Sequence, residues 1–346
     1  MSDSFFNLPL RESQALIGKA AAQMDVSDLI IEKDLWVCWV LEQLFSLPIH
    51  MIFKGGTSLS KVFQLIKRFS EDCDITIDYR MFMQEVDLNT ITRSQLKKVS
   101  KQLKKQLQAY VSETILPYLQ YKVCICFPNQ DFEITLSEDG ERLRFYYPSI
   151  IHSLRGYLRD HVLVEFGIRS STEPCEKHLI TPYLKNVINE IVDLPAPVVD
   201  VLSPIRTFWE KITLIHVECH RDRFVKTSER LSRHWYDLFL LNNSWVGKQA
   251  VRRNDIFKNV LEHKKAFFNA SYADYDSCWR GALRLIPASE DLSTLASDFK
   301  QMIDAGMFYE DPPAFIDIIH SLSVLEVEIN NHQRQDTYIK TEKVTA

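Results

Sequence analysis

Residues 53–74 read FKGGTSLSKVFQLIKRFSEDCD, and the fold turns on how this stretch passes from strand to helix and back to strand. Ile49, Met51, Ile52 and Phe53 form a short apolar run that predicts a buried strand, and Gly55 and Gly56 break it. Residues 57–68 then carry Leu59, Val62, Phe63 and Ile66 at helical spacing, which predicts a helix directly after the glycines. Without a Cβ, Gly55 and Gly56 can adopt unusual dihedrals and admit a ligand close to the backbone. The first amides of the following helix would point at an anion, with the hydroxyls of Thr57 and Ser58 as further donors.

The end of the stretch predicts a second strand with two unlike faces. Side chains alternate along a strand, so Cys73, Ile75 and Ile77 share one face and Asp72, Asp74, Thr76 and Asp78 the other. At a rise of about 3.3 Å per residue, Asp72 and Asp74 lie about 7 Å apart at their Cα atoms, near enough to serve one Mg²⁺ or a pair. Asp78 lies two pleats further from Asp74, too far for the same ion. Two neighbouring carboxylates repel unless a cation neutralises them, so the pattern implies a metal-dependent, phosphate-handling site.

The 346 residues are enough for two domains with proper cores, and an apolar content of 46% predicts a folded globular chain. The formal net charge of −5 excludes a global basic bias, so any nucleic-acid contact must come from a local patch. One such patch is present: Arg93, Lys97, Lys98, Lys101, Lys104 and Lys105 lie along a predicted helix whose Leu96, Leu103 and Leu107 are available to a core. It reads either as a solvated helix face or as a surface for the RNA backbone. The seven cysteines show no Cys-x-x-Cys pair and read as small buried residues in a reducing cytoplasm. The first ten residues carry no basic segment followed by an apolar run, so no signal peptide is expected. The most apolar region, residues 35–53, is interrupted by Glu42, Gln43, Ser46, Pro48 and His50, so no membrane span is expected.

Along the chain, residues 27–45 have helical spacing and Pro48 ends them before the first strand. A helix or helix pair is predicted over about 88–118. The period then changes to two, predicting strands at 122–127, 132–136, 142–147 and 161–168, with Asp139-Gly140 as a hairpin turn. Pro195-Ala196-Pro197 reads as a linker. Helical patterns follow at 204–221, 228–242, 249–268 and 291–328, and the polar tail after Asn330 reads as loose. The expected fold class is α+β: an α/β domain over 1–197 with a mixed sheet and flanking helices, an α-helical domain over 198–330, and a flexible tail over 331–346.

Three further places carry candidate chemistry. In VLVEFG, residues 162–167, Glu165 is one carboxylate in an apolar strand with Gly167 two residues on. It is either a third site carboxylate or general base, or an edge residue paired with Arg169. In RTFWEKITLIHVECH, residues 206–220, Phe208, Ile212 and Ile215 form an apolar face and Lys211 stands one position off it, either as a surface lysine or as a mobile cation for a triphosphate. His216 and His220 have the spacing of a zinc helix, but the glutamate that the protease motif places after its first histidine is absent. In SERLSRHWYDLFL, residues 228–240, Glu229, Arg233 and Asp237 align at helical spacing beside a bulky apolar run. A buried Asp237 would require a partner, with Arg233 or Lys211 the nearest in type.

Taken together these segments resemble the AbiEii/AbiGii toxin-type nucleotidyltransferases, bacterial members of the polymerase-β-like nucleotidyltransferase superfamily. The resemblance rests on KGGTSLSK at 54–61, RFSEDCDI at 68–75, VEFGIRS at 164–170, RTFWEK at 206–211 and SRHWYDL at 232–238, preceded by IEKDLW at 31–36. It implies transfer of a nucleoside monophosphate from an NTP, with release of pyrophosphate. By position, Gly55, Gly56, Thr57 and Ser58 would hold the triphosphate, with Lys61 in place of a frequent basic residue. Asp72 and Asp74 would bind Mg²⁺, with Mn²⁺ as an alternative, and Lys211 and Asp237 match a later catalytic lysine and aspartate. Cys73 departs from the Ile or Leu usual between the two aspartates. The resemblance further implies a toxin of a toxin–antitoxin or phage-defence system acting on the 3′ end of tRNA, with an antitoxin as possible partner. Competing readings are a metal-dependent Asp-x-Asp glycosyltransferase, against which the Gly-Gly turn counts, and a non-catalytic nucleotide- or partner-binding protein of the same fold.

Overall fold

The computed structural model describes residues 3–83, 92–151, 158–187, 192–221, 230–268, 270 and 272–345, and only the backbone of residues 93 and 336–345. The chain forms two compact units, Met1–Leu202 with Ala305–Glu310, and Ser203–Asp304 with Asp311–Ala346.

In the first unit the described elements are β1 (Asp3–Ser4), α1 (Leu10–Met24), α2 (Asp28–Phe45), β2 (Met51–Lys54), α3 (Gly55–Lys61), β3 (Asp72–Ile77), α4 (Arg93–Tyr110), α5 (Leu116–Cys126), β4 (Glu133–Leu136), β5 (Arg142–Tyr146), β6 (His161–Gly167), β7 (Cys175–Leu179), β8 (Val192–Asp193) and β9 (Val198–Leu202). Seven strands make one mixed sheet in the order β4-β5-β6-β3-β2-β9-β7, and β1 pairs with β8 separately. The strand with the aspartates therefore lies inside the sheet, antiparallel to β2 and parallel to β6. Its expected alternation holds on the core side, where Cys73, Ile75 and Ile77 are fully buried.

Helix α2 lies against β6 and β9 and is buried around its whole circumference. Ser27 caps it by accepting the Leu29 N–H, as the sequence of a helix start requires. Trp36 anchors one side of the core, with Phe6, Phe127, Phe132, Phe145 and Tyr147 packed around its ring. The segment Ala305–Glu310 joins this unit through the Phe69 and Tyr309 N–H groups, which donate to Met307 and Lys67 carbonyls at 2.8 and 3.0 Å.

The helix after the glycines stops at Lys61, well short of residue 68, and Gln64 takes a positive φ of 52° just beyond it. Residues 122–126 belong to α5 instead of a strand. The buried positions Leu103, Leu107, Val111, Ile115, Leu119, Val123 and Phe127 recur every four residues through α4, a π turn at Val111–Ile115, and α5. A spacing of four over-rotates an α-helix by about 40° per step, and the wider π turn takes up part of that drift. Consequently Cys124 and Cys126 are exposed, unlike the buried Cys38, Cys73, Cys219 and Cys278, and all seven cysteines are free. The expected hairpin is present: β4 and β5 are antiparallel, and Gly140, at φ +69°, donates its N–H to the Ser137 carbonyl at 2.9 Å.

The second unit holds α6 (Pro204–Glu218), α7 (Arg233–Asn242), α8 (Trp245–Ala250), α9 (Asn254–Phe267), α10 (Tyr275–Trp279), α11 (Ser289–Asp304) and α12 (Phe315–Thr345). The helix predicted over 291–328 is two helices, broken by Gly306 at φ +64° and by Pro312-Pro313. The polar tail after Asn330 continues α12 to Thr345, because its Gln, Arg, Lys and Glu residues favour helix and neither Gly nor Pro interrupts them. The predicted helix start at Ser228 and Glu229 lies outside the described residues. Among the described residues no helix is long and apolar enough to cross a membrane.

His216, fully buried on α6, has both ring nitrogens engaged by protein groups. The Arg284 N–H donates to Nδ1 at 3.0 Å, which leaves Nε2 to carry the hydrogen toward the Asp274 carbonyl at 3.3 Å. Burial, assisted by neighbouring His220, lowers its pKa from 6.5 to about 4. An unfolded imidazole takes a proton below about pH 6.5 and the folded one only near pH 4, so stability is complete above this window and lost as pH falls through it. The expected loss between pH 7 and pH 4 is on the order of 2 to 3 kcal/mol. Denaturant unfolding of wild type and His216→Gln at several pH values measures it, and equal pH slopes in the two proteins would refute the assignment.

Candidate functional site

The Gly-Gly turn and the Asp-x-Asp strand meet. Antiparallel register sets Lys54, the last residue of β2, opposite Asp74, so the chain turns at Gly55 directly over that carboxylate. Gly55 has φ +81°, and a Cβ there would stand 1.9 Å from Asp74 Oδ2. Gly56 is equally constrained, since its Cβ would stand 2.8 Å from both Arg68 Nη2 and Ser70 Oγ. One glycine is thus demanded by the aspartate and the other by the RFSE segment just before it. A methyl group at Gly55 must displace the carboxylate and also accept a left-handed backbone, at a cost of about 1–3 kcal/mol. Gly55→Ala is therefore expected to lower the activity of this site at least about a hundredfold, an effect of the size produced by small misplacements of reacting groups. Activity and a thermal midpoint measured side by side test this, and near-normal activity would contradict it.

The hydroxyls expected to face a ligand are used within the turn. Thr57 Oγ1 donates to the Asp72 carbonyl at 2.5 Å and Ser58 Oγ to the Gly55 carbonyl at 3.0 Å, and both residues are fully buried. What the turn itself offers a ligand is backbone N–H at the start of α3, where the first amides have no intrahelical partner. Lys61 likewise points inward: it ion-pairs Asp34 of α2 and its ammonium lies 4.2 Å from the centre of the Tyr183 ring. Burial, the largest single influence, pushes this ammonium down, but Asp34, Cys38 and Tyr309 together hold the lysine above its ordinary value.

Three consecutive charges of α2 are buried with partners, and two of them, Lys33 and Asp34, hold residues of the site, a role the sequence reading missed. Glu32 accepts the Ile150 N–H and the Ser149 hydroxyl, both at 2.6 Å, while burial raises its carboxyl above the usual range. Lys33 ion-pairs Glu71, the residue before Asp72, and donates to the Arg159 carbonyl at 2.7 Å. Asp34 takes Lys61 and the Tyr183 N–H at 2.7 Å. The signal was present in IEKDLW, because three adjacent residues span about 200° of a helix and cannot all reach solvent from an otherwise apolar run.

Asp72 and Asp74 occupy the same face of β3. Asp72 is buried and accepts Arg159 Nη1 at 2.5 Å. Across the parallel pair, Leu163 stands beside Asp72 and Glu165 beside Asp74. Glu165 pairs with Arg142 at 2.7 Å and not with Arg169, because antiparallel register puts residue 142 opposite 165 while Arg169 turns to Glu141 at 3.9 Å. Asp78 leaves the strand and caps the following 3₁₀ turn. Burial raises its pKa, but hydrogen bonds from Arg80 prevail and hold it below the usual carboxylate value. Cys73 between the aspartates faces the core, and burial pushes its thiol well above the ordinary range, so it stays neutral.

The donor set of Asp72 and Asp74 consists of carboxylate oxygens on one face, and the missing Cβ of Gly55 leaves an Asp74 oxygen its space. That set suits a hard divalent cation. Among the described residues no group of three His, Cys, Asp or Glu is placed to hold a metal ion, so the two aspartates form the candidate pair. In the second unit Lys211 of α6 donates to Asp237 of α7 at 2.7 Å, and both side chains are buried. Lys211 is thus one of the two partners that the sequence offered Asp237.

The sequence model of one protein family, described as Nucleotidyl transferase AbiEii toxin, Type IV TA system, matches residues 39–321. No curated protein matches the chain.

Proposed function

The chain belongs to the AbiEii nucleotidyl transferase toxin family of type IV toxin–antitoxin systems, and on that premise we propose that it moves a nucleoside monophosphate from an NTP to the 3′ end of tRNA. The acceptor hydroxyl oxygen bonds to the α-phosphorus, the bond from that phosphorus to the bridging oxygen breaks, and pyrophosphate leaves with the electron pair. The acceptor proton passes to a site carboxylate or to solvent. The observation that carries this reading is the seating of Gly55 on the Asp74 carboxylate beside Asp72.

Each part of the chain has a share in the work. Asp72 and Asp74 would hold Mg²⁺, or Mn²⁺ in its place, and such an ion supplies charge neutralisation of the phosphates and of the leaving oxygen. Backbone N–H groups of Gly55, Gly56, Thr57 and Ser58 would receive the triphosphate. Lys61 acts from below by fixing α3 to α2, a positioning role. Lys211, held by Asp237, is the cation that the family resemblance assigns to the reaction. Glu165 remains a candidate base, and its pairing with Arg142 makes Glu165→Gln the direct measure of that role.

The choice of RNA rests on α4, whose Lys97, Lys98, Lys101, Lys104 and Lys105 are all exposed while Leu103 and Leu107 are buried. In a chain of net charge −5 this is a local cationic surface fitted to a phosphate backbone. Seven free cysteines accord with a reducing cytoplasm as the place of action. The test is to incubate the protein with Mg²⁺, total tRNA and each α-labelled NTP in turn. Label that comigrates with tRNA is the expected result. Label on protein would replace the acceptor, and bound nucleotide without any transfer would favour a non-catalytic binding protein.

A further inference from the structure

The geometry points to Arg159 as a metal-responsive ligand of the triphosphate: it holds Asp72 while no cation is bound, and moves to the β- and γ-phosphates when a divalent cation takes Asp72. This rests on the reading that Asp72 and Asp74 bind such a cation.

Arg159 has a fixed backbone and a reaching side chain. Its N–H donates to Glu71 Oε2 at 3.2 Å and its carbonyl accepts Lys33 Nζ at 2.7 Å. Lys33 and Glu71 are themselves paired, each side chain only 2% exposed, so a buried ion pair grips the peptide on both sides of Arg159. The guanidinium by contrast is 33% exposed and extends to Asp72 Oδ1. Asp72 directly follows Glu71 in the chain, so the anchor of Arg159 and the carboxylate it covers form one assembly.

A carboxylate oxygen that accepts a guanidinium hydrogen bond presents less charge to a second cation, and two cations on one oxygen repel. Arg159 and a divalent ion therefore compete for Asp72. Once displaced, the guanidinium stays tethered beside the site, since its backbone is held independently of Asp72. It then meets a new anion, the triphosphate that arrives with the cation. A planar fork with five donors suits phosphate oxygens bidentately, which a lysine cannot reproduce.

The experiment titrates Mn²⁺ into the full chain and follows the free-ion signal by electron paramagnetic resonance, with and without a non-hydrolysable α,β-methylene NTP. Wild type, Arg159→Gln, Arg159→Lys and Asp72→Asn are compared. Without nucleotide, Arg159→Gln is expected to bind Mn²⁺ about five- to tenfold more tightly, the equivalent of one charge-assisted hydrogen bond at a partly exposed site. Arg159→Lys keeps a cation on Asp72 and should bind Mn²⁺ near the wild-type affinity. With Mn²⁺ saturating, both variants should bind the analogue about tenfold or more weakly, as expected for loss of a bidentate phosphate contact. Unchanged Mn²⁺ and analogue affinities in Arg159→Gln, with Mn²⁺ binding lost in Asp72→Asn, would overturn the role of Arg159 and leave the metal site standing. Weaker Mn²⁺ binding in Arg159→Gln would overturn it too, since the arginine would then merely shape Asp72. Mn²⁺ binding that Asp72→Asn leaves intact would overturn the metal-site reading and this proposal with it.

Discussion

Asp74→Asn is expected to lower nucleotidyl transfer by about a thousandfold or more while the protein stays folded, as when a charge that acts on a transferring phosphoryl group is removed from a preorganised site. The size follows from where Asp74 stands. It lies inside the sheet, opposite Lys54 on one side and beside Glu165 on the other, with Gly55 passing over its Oδ2. Asparagine fills the same volume, so the turn above it has no reason to move. What is lost is one of two negative charges available to a cation. The stability change should stay within about 1 kcal/mol, because the substitution also relieves repulsion with Asp72. Asp72→Asn differs in one respect, since it also frees Arg159 from its partner. Labelled NTP transfer measured beside a thermal midpoint decides the matter. An Asp74→Asn protein retaining a tenth of wild-type activity would remove Asp74 from the centre of the site.

The part of this site that the sequence made legible is the part written in local periodicity. Alternation along residues 72–77 placed Cys73, Ile75 and Ile77 in the core and the two aspartates together, and the Gly-Gly break marked the turn between β2 and α3. The partners that come from elsewhere were not legible, because pairing register and burial are properties of the assembled sheet. Nothing local in residues 142 or 169 says which of them meets Glu165; the β5–β6 register decides for Arg142. Thr57 and Ser58 looked like ligand donors because hydroxyls are common there, yet each has a backbone carbonyl within reach and uses it. Strand β7, at the end of the sheet, reads CEKHL with little apolar content, and β9 stands directly behind the proline-rich stretch, so neither announced itself. In VCIC of α5 the β-branched residues mimicked a strand, whereas the decisive signal was the four-residue repeat of Leu103, Leu107, Val111, Ile115, Leu119 and Val123 reaching from α4.

Lys33→Met is expected to destabilise the protein by about 3–5 kcal/mol, among the largest effects any single substitution here should have, because it takes one member out of a buried ion pair. Both side chains of the pair are only 2% exposed, so water cannot replace the lost partner. The double substitution Lys33→Met with Glu71→Leu removes both charges and should restore most of that stability, since an apolar pair of similar bulk is often neutral or better. Activity should not return with it. Lys33 and Glu71 also hold the Arg159 carbonyl and N–H, and Glu71 fixes the entry into β3 just before Asp72. Without them Arg159 loses its anchor and Asp72 its approach, so the double variant should fold well and transfer poorly, by about a hundredfold, as misplacement of site groups by about 1 Å produces. Urea unfolding and labelled transfer on the same three proteins separate these effects. If the double variant recovered stability and activity together, the buried pair would be packing alone, and the link from α2 to the site would fail.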